Sequence, residues 1–256
     1  MTVLPLGLSP ASELPAYPDL AGKRVLLTGA RRGVGAAIAR ALAEAGCRLV
    51  LHFDRQGGQM LRVAGRVGKK AESLRVFQGP IEDRAALERL AIAVGHAFSG
   101  LDIVIRASEV DTTVLDENAE EDEIDDLVCD TLQIPARLTA LAAKRMRDAR
   151  LQGTIINVLT ARPDRRPAAA LVSDMTRTTL ETMTRQLASC EAAHGIRINA
   201  VYAAGAESGG DSEGEGRRRN DRIPLGRIGA ARQLAGVVLH LCSERSRSIS
   251  GTTVAL

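Results

Sequence analysis

Three glycines stand close together in Thr28-Gly29-Ala30-Arg31-Arg32-Gly33-Val34-Gly35, where an apolar run ends and a stretch of helical period begins. Glycine at such a junction lets the backbone turn tightly and approach a pyrophosphate, which the N–H groups of the helix N-terminus then hold. Gly29, Arg31, Arg32, Gly33, Val34 and Gly35 are therefore candidate phosphate-binding residues. Groups able to exchange protons are scarce. The chain has two tyrosines, Tyr17 and Tyr202, and four lysines, so that thirty of its 34 basic residues are arginine, a group effectively never deprotonated. Tyr202 falls just beyond a strand-like run, near where a parallel sheet presents its ligands; it is read as a structural tyrosine, with a substitute acid as the alternative. His52, His96, His194 and His240 have no evident partner and are read as structural. Cys47, Cys129, Cys190 and Cys242 form no CxxC or Cys/His cluster, so neither a zinc site nor a disulfide framework is expected, and a reducing cytoplasm fits.

The elements that must position these groups alternate strictly. RVLLT (24 to 28), CRLVLHF (47 to 53), SLRVF (73 to 77), DIVI (102 to 105), GTIINVL (153 to 159), IRINAV (196 to 201) and TTVAL (252 to 256) read as seven strands. Between them apolar residues recur at helical spacing, as in Val34, Ala37, Ile38, Ala41, Leu42 and Ala45. Strands apolar on both faces, alternating with helices, predict a doubly wound α/β domain: a seven-stranded parallel sheet covered on both sides. The acidic run 116 to 126 is expected at a helix start, where carboxylates favour the positive end of the dipole. Glu207 to Arg222, sixteen residues without an apolar side chain, is expected to be a flexible loop.

With 256 residues the chain is long enough for one substantial core, and 34 basic against 31 acidic residues mark neither a nucleic-acid nor a membrane-surface protein. No apolar run reaches the roughly 18 residues of a membrane span. Residues 1 to 20 are read as an extended arm and 21 to 256 as the domain.

The glycine loop matches the TGxxxGxG fingerprint of the short-chain dehydrogenase/reductase family. LDIVI (101 to 105), GTIIN (153 to 157), HGIRINAV (194 to 201), RIPLGRIG (222 to 229) and SISGTTVAL (248 to 256) resemble blocks of the same family, so the resemblance runs from Leu20 to Leu256. It is nearest to the ketoacyl-carrier-protein reductase and pteridine reductase branches, and implies a single-domain Rossmann-type sandwich. In this family the residues after the second strand, here Asp54 and Arg55, contact the adenosine ribose. Arg31, Arg32 and Arg55 favour the 2′-phosphate of NADP(H), while Asp54 favours NAD(H); binding of no cofactor remains the third alternative. Two positions depart from the pattern. Pro80 replaces the acidic residue that reads the adenine, and Arg106-Ala107-Ser108-Glu109 replaces the NNAG motif, adding bulk and charge where a cofactor would lie.

Registered on LETMTRQLA (180 to 188), the family's YxxxK pair falls on Ser173 and Arg177, its serine on Thr160 and its asparagine on Thr131. No YxxxK occurs in any register, because Ala21 and Ala206 follow the two tyrosines at that spacing. An aliphatic hydroxyl lies several units above a phenol in pKa, so Ser173 alone cannot replace the proton donor. The expectation is accordingly a non-catalytic subunit or scaffold with no catalytic residues, assembled as a homo- or hetero-oligomer, dimer or tetramer, with subunits of the same fold. Two alternatives stand beside it. One is an NADP-dependent oxidoreductase with a rearranged site using Tyr202, Ser173 or Thr160; the other is a nucleotide-binding sensor.

Overall fold

The computed structural model describes residues 16–54, 57–81, 83–110, 121–161, 167–204 and 231–256. Seven strands, β1 (Arg24–Thr28), β2 (Arg48–Phe53), β3 (Ser73–Gln78), β4 (Ile103–Val110), β5 (Thr154–Ala161), β6 (Arg197–Ala204) and β7 (Thr253–Ala255), form one sheet in the order β3-β2-β1-β4-β5-β6-β7. Every pairing is parallel. The seven strands and the doubly wound architecture agree with the sequence reading.

Parallel strands need crossovers, and helices supply them: α1 (Gly33–Glu44), α2 (Gly58–Val67), α3 (Arg84–Phe98), α4 (Glu121–Val128), α5 (Ile134–Asp148), α6 (Pro167–Glu191) and α7 (Ala231–Cys242). One face of the sheet packs on α1, α2 and α7 through Leu27, Ile38, Leu42, Leu51, Phe53 and Val238. The other packs on α3 and α5 through Leu26, Val50, Leu90, Val104 and Met146, and on α6 through Leu159, Val172, Leu180 and Tyr202. Successive strand residues alternate between these two layers, which is why the strands read as unbroken apolar runs.

β4 extends to Val110, well beyond the sequence expectation, so Arg106-Ala107-Ser108-Glu109 is not a loop. It continues the sheet, pairing with Asn157-Val158-Leu159-Thr160 of β5. Between α4 and α5 the turn widens into a π-helical stretch, Cys129–Gln133. Pro135 accounts for it: the ring has no N–H to return to the carbonyl of Thr131 and crowds the preceding turn. Of the expected arm, the described part is anchored. Leu20 is fully buried, Asp19 accepts a hydrogen bond from the Glu244 N–H at 2.8 Å, and the Arg245 guanidinium lies 5.2 Å over the Tyr17 ring. Residues 1–15, residues 116–120 of the acidic run and the expected loop 207 to 222 lie outside the described residues, while 121–126 of that run open α4.

Candidate functional site

The chain runs from β1 outward to β3 and then returns to place β4 on the other side of β1, so the strand order reverses between β1 and β4. Loops leave in opposite directions there, opening a crevice at the carboxyl ends of the strands. A cleft of about 330 Å³ occupies this place, lined by Thr28, Gly29, Arg31, Arg32, Val34, Gly35, Asp54, Arg106, Ser108, Glu109 and Thr160, among others. The glycine loop forms one wall. Gly29 has φ +77°, and a Cβ there would lie 1.8 Å from the Ala107 carbonyl oxygen; a Cβ on Gly35 would lie 2.1 Å from the Gly29 carbonyl oxygen. Only glycine permits the turn to close against β4.

At the start of α1, Arg32 is the N-cap in extended conformation and makes no side-chain cap, and the first turn carries no acidic residue. The first N–H groups of the helix thus face the cleft without a side-chain acceptor of their own, the arrangement that suits a phosphate. Arg32 instead reaches across the cleft, where its Nη2 meets Glu109 Oε2 at 2.9 Å. Arg31 and Asp54 also border the cleft, and Arg55 lies outside the described residues.

His52 was read from the sequence as structural, yet it borders this cleft and is 3% exposed. Its Nε2 lies 2.7 Å from the Gly79 carbonyl oxygen, which can only accept, so Nε2 carries the proton. Nδ1 is then an acceptor, and it is buried with no partner. Burial pushes the ring's pKa down and keeps it neutral. No sequence signal marks this atom, because its isolation follows from the packing of β2 against β3.

The four registered catalytic positions do not converge as a set. Thr131 lies on the π-helical stretch and its Oγ1 donates to the Leu127 carbonyl at 2.6 Å, so the hydroxyl is turned back on its own helix. Thr160, next to last in β5, borders the cleft, and its Oγ1 donates to the Ser108 carbonyl at 3.3 Å. Ser173 and Arg177 lie one turn apart on α6. The Arg177 guanidinium pairs with Glu181 at 2.8 Å and reaches Asp174 at 3.6 Å.

The Ser173 hydroxyl is hydrogen-bonded to the phenol of Tyr202, which reaches it from β6. Tyr202 is buried against Leu159, Val172 and Leu180. Burial pushes its phenol above the ordinary value of 10 and the Asp174 charge adds to the rise, while the Ser173 hydrogen bond and, less strongly, the Arg177 charge pull it part of the way back. The sequence reading weighed these two residues separately; the fold makes them one unit.

Among the described residues no group of three or more His, Cys, Asp or Glu side chains could hold a metal ion. Nor is any described helix long and apolar enough to cross a membrane.

Residues 29–256 match a family model described as Enoyl-(Acyl carrier protein) reductase. L-xylulose reductase of Caenorhabditis elegans is 25% identical over 94% of this chain and 96% of its own. The 3-oxoacyl-acyl-carrier-protein reductase of Vibrio cholerae is 26% identical over 92% of this chain and 96% of its own. Among solved structures, a short-chain dehydrogenase/reductase from Serratia marcescens superposes with a TM-score of 0.81 at 24% identity, over 93% of this chain and 97% of that one, a likeness of fold. These relatives overturn the expectation of a non-catalytic subunit or scaffold: proteins alignable over more than nine-tenths of the chain are named as reductases and dehydrogenases. The inference rested on the absence of YxxxK alone, and that absence removes one arrangement of proton-donating groups without excluding others.

Proposed function

Because the chain belongs to the short-chain dehydrogenase/reductase family, which typically works with NAD(P)(H), we propose that it is an NADP(H)-dependent oxidoreductase interconverting a carbonyl and a secondary alcohol through a rearranged proton donor. The observation that carries this reading is the hydrogen bond between Ser173 and Tyr202.

A dinucleotide fits the residues present. The glycine turn leaves no room for a Cβ and aims the uncapped start of α1 at the cleft, and His52 Nδ1 is an orphaned acceptor on its wall. Gly29, Gly33, Val34 and Gly35 would take the pyrophosphate, Asp54 the ribose, and Arg31, Arg32 and Arg55 the additional 2′-phosphate that favours NADP(H). When bound in reduced form, the nicotinamide supplies a hydride to the carbonyl carbon.

The carbonyl oxygen gains negative charge as it is reduced and needs a proton. Ser173, half-buried at the position where the family carries its tyrosine, gives its hydroxyl proton to that oxygen and takes the phenolic proton of Tyr202 behind it. An aliphatic alcohol alone is too weak an acid, and coupling to the phenol lowers the barrier to its proton loss. The phenolate that results is stabilised by the Ser173 hydrogen bond, the Arg177 charge adding to it and the Asp174 charge opposing it. Thr160, at the end of β5, hydrogen-bonds and orients the substrate oxygen. A homo-oligomer completes the reading, supported by two exposed apolar pairs at helical spacing, Val128 with Leu132 and Leu171 with Met175.

The test is consumption of NADPH over a panel of ketones. Tyr202→Phe and Ser173→Ala should each lower kcat about a hundredfold or more, with the dissociation constant of NADPH unchanged by calorimetry. The working form in reduction is the protonated phenol, and burial pushes its pKa upward, so the rate should hold level through neutral pH and decline only in the alkaline range above 10. Intact folding and NADPH binding without hydride transfer to any carbonyl would overturn the proposal.

A further inference from the structure

Arg32 and Glu109 come from opposite walls of the cleft, one from the turn before α1 and the other from the end of β4. They meet at 2.9 Å, and both side chains border the cleft. The register places Glu109 beside Thr160 on the neighbouring strand. A carboxylate is therefore held in the cleft by the N-cap arginine of a helix that has no acidic residue in its first turn and no side-chain cap. A negatively charged ligand approaching those N–H groups meets the Glu109 charge first and requires the same guanidinium.

We propose that Glu109 is a built-in anion on Arg32, so that a dinucleotide binds only by displacing it, and that Glu109 thereby sets the affinity of the cleft and its preference for ligands that bring their own phosphates. This rests on the dinucleotide reading above. The Glu109 side chain is 17% exposed and Arg32 41%, so the pair is partly solvated. Such pairs are worth up to about 1 kcal/mol, enough to change an affinity about fivefold yet weak enough for a phosphate of the ligand to break. The charge that leaves Arg32 is replaced by the ligand's own, so Arg32 exchanges one anion for another and is never left exposed to an apolar wall.

Calorimetric titration of NADPH into the full-length protein and its variants tests this. Glu109→Gln, which keeps the shape and removes the charge, should bind NADPH about three- to fivefold more tightly than the wild type. The gain should narrow as salt is raised, since the pair is partly exposed. In an Arg32→Ala background binding should weaken, and Glu109→Gln should then add much less, because the displaced contact is already gone. Far-ultraviolet circular dichroism and melting curves establish that each variant is folded. Equal or weaker binding by Glu109→Gln, or the same gain with and without Arg32, overturns the latch and leaves the dinucleotide reading intact. No heat of binding from either the wild type or Glu109→Gln, both folded, overturns the two together.

Discussion

A methyl group added at Gly29 would meet the Ala107 carbonyl oxygen at 1.8 Å, and one added at Gly35 would meet the Gly29 carbonyl oxygen at 2.1 Å. Both obstacles are backbone, which cannot swing aside as a flexible side chain does. Gly29 also has a φ of +77°, strained for any residue with a Cβ. Gly29→Ala should therefore destabilise by about 2–4 kcal/mol, read as a lower urea midpoint at unchanged slope. Gly65, on the exposed side of α2, has nothing within 4 Å of the same added atom. Gly65→Ala should stabilise by about 0.5–1 kcal/mol through helix propensity alone. Equal effects at the two sites would mean that the loop is not closed against β4. The contrast shows why the glycine turn was readable from sequence: its geometry tolerates one residue type, so composition and spacing report it directly. The Ser173–Tyr202 pair offers no such signal. The residues stand 29 positions apart, and only the packing of α6 on β6 decides that their hydroxyls meet.

At the scale of elements, β1 and β4 form the centre of the sheet, and they are fastened at the end opposite the cleft by Arg24 and Asp102. Arg24 Nε and Nη2 take the two carboxylate oxygens at 2.9 and 2.7 Å, and the Arg24 backbone N–H donates to Oδ2 at 2.8 Å. Burial pushes the Asp102 carboxyl up, but the hydrogen bonds from Arg24 outweigh it and hold the group below the ordinary 3.8. A carboxyl depressed in the folded state contributes stability that is present above its unfolded value and lost as pH falls through the folded one. Asp102→Asn should cost roughly 2 kcal/mol at neutral pH, and its urea midpoint should converge with that of the wild type under strongly acidic conditions. A gap that persists in acid would show that shape, not charge, holds the two strands. The strands themselves were legible because burial on both faces makes them apolar throughout. Two element ends were not. Arg106 to Glu109 is polar in part because it lines a cleft, and polarity imitates a loop; the apolar residues on either side of the π-helical stretch still read as one helix, and nothing in their types shows that the hydrogen bonds before Pro135 shift by one residue.

At the scale of the molecule, the question is whether the segment Tyr17 to Leu20 melts with the sandwich or ahead of it. Leu20 and Tyr17 belong to the same apolar layer as α1, α7, Cys47 and Cys242. The Cys47 thiol donates to the Leu20 carbonyl at 3.3 Å, so Leu20 lies directly over that sulfur. Burial pushes Cys47 up to about 12 and raises Cys242 as well. The thiolate is the reactive form, so in the folded state neither should react, whereas Cys190 is exposed on α6. In a Cys129→Ser background, an alkylating reagent should modify Cys190 at once, followed by Cys47 and Cys242 at a single slower rate. That common rate should rise with urea along the slope of global unfolding, because both thiols are freed only when the layer between the sheet and helices α1 and α7 opens. Modification of Cys47 well ahead of Cys242 would reveal an independent opening of the Tyr17 to Leu20 segment and divide the layer into two cooperative units. A common rate, by contrast, makes the residues before β1 part of the core that holds the glycine loop in place.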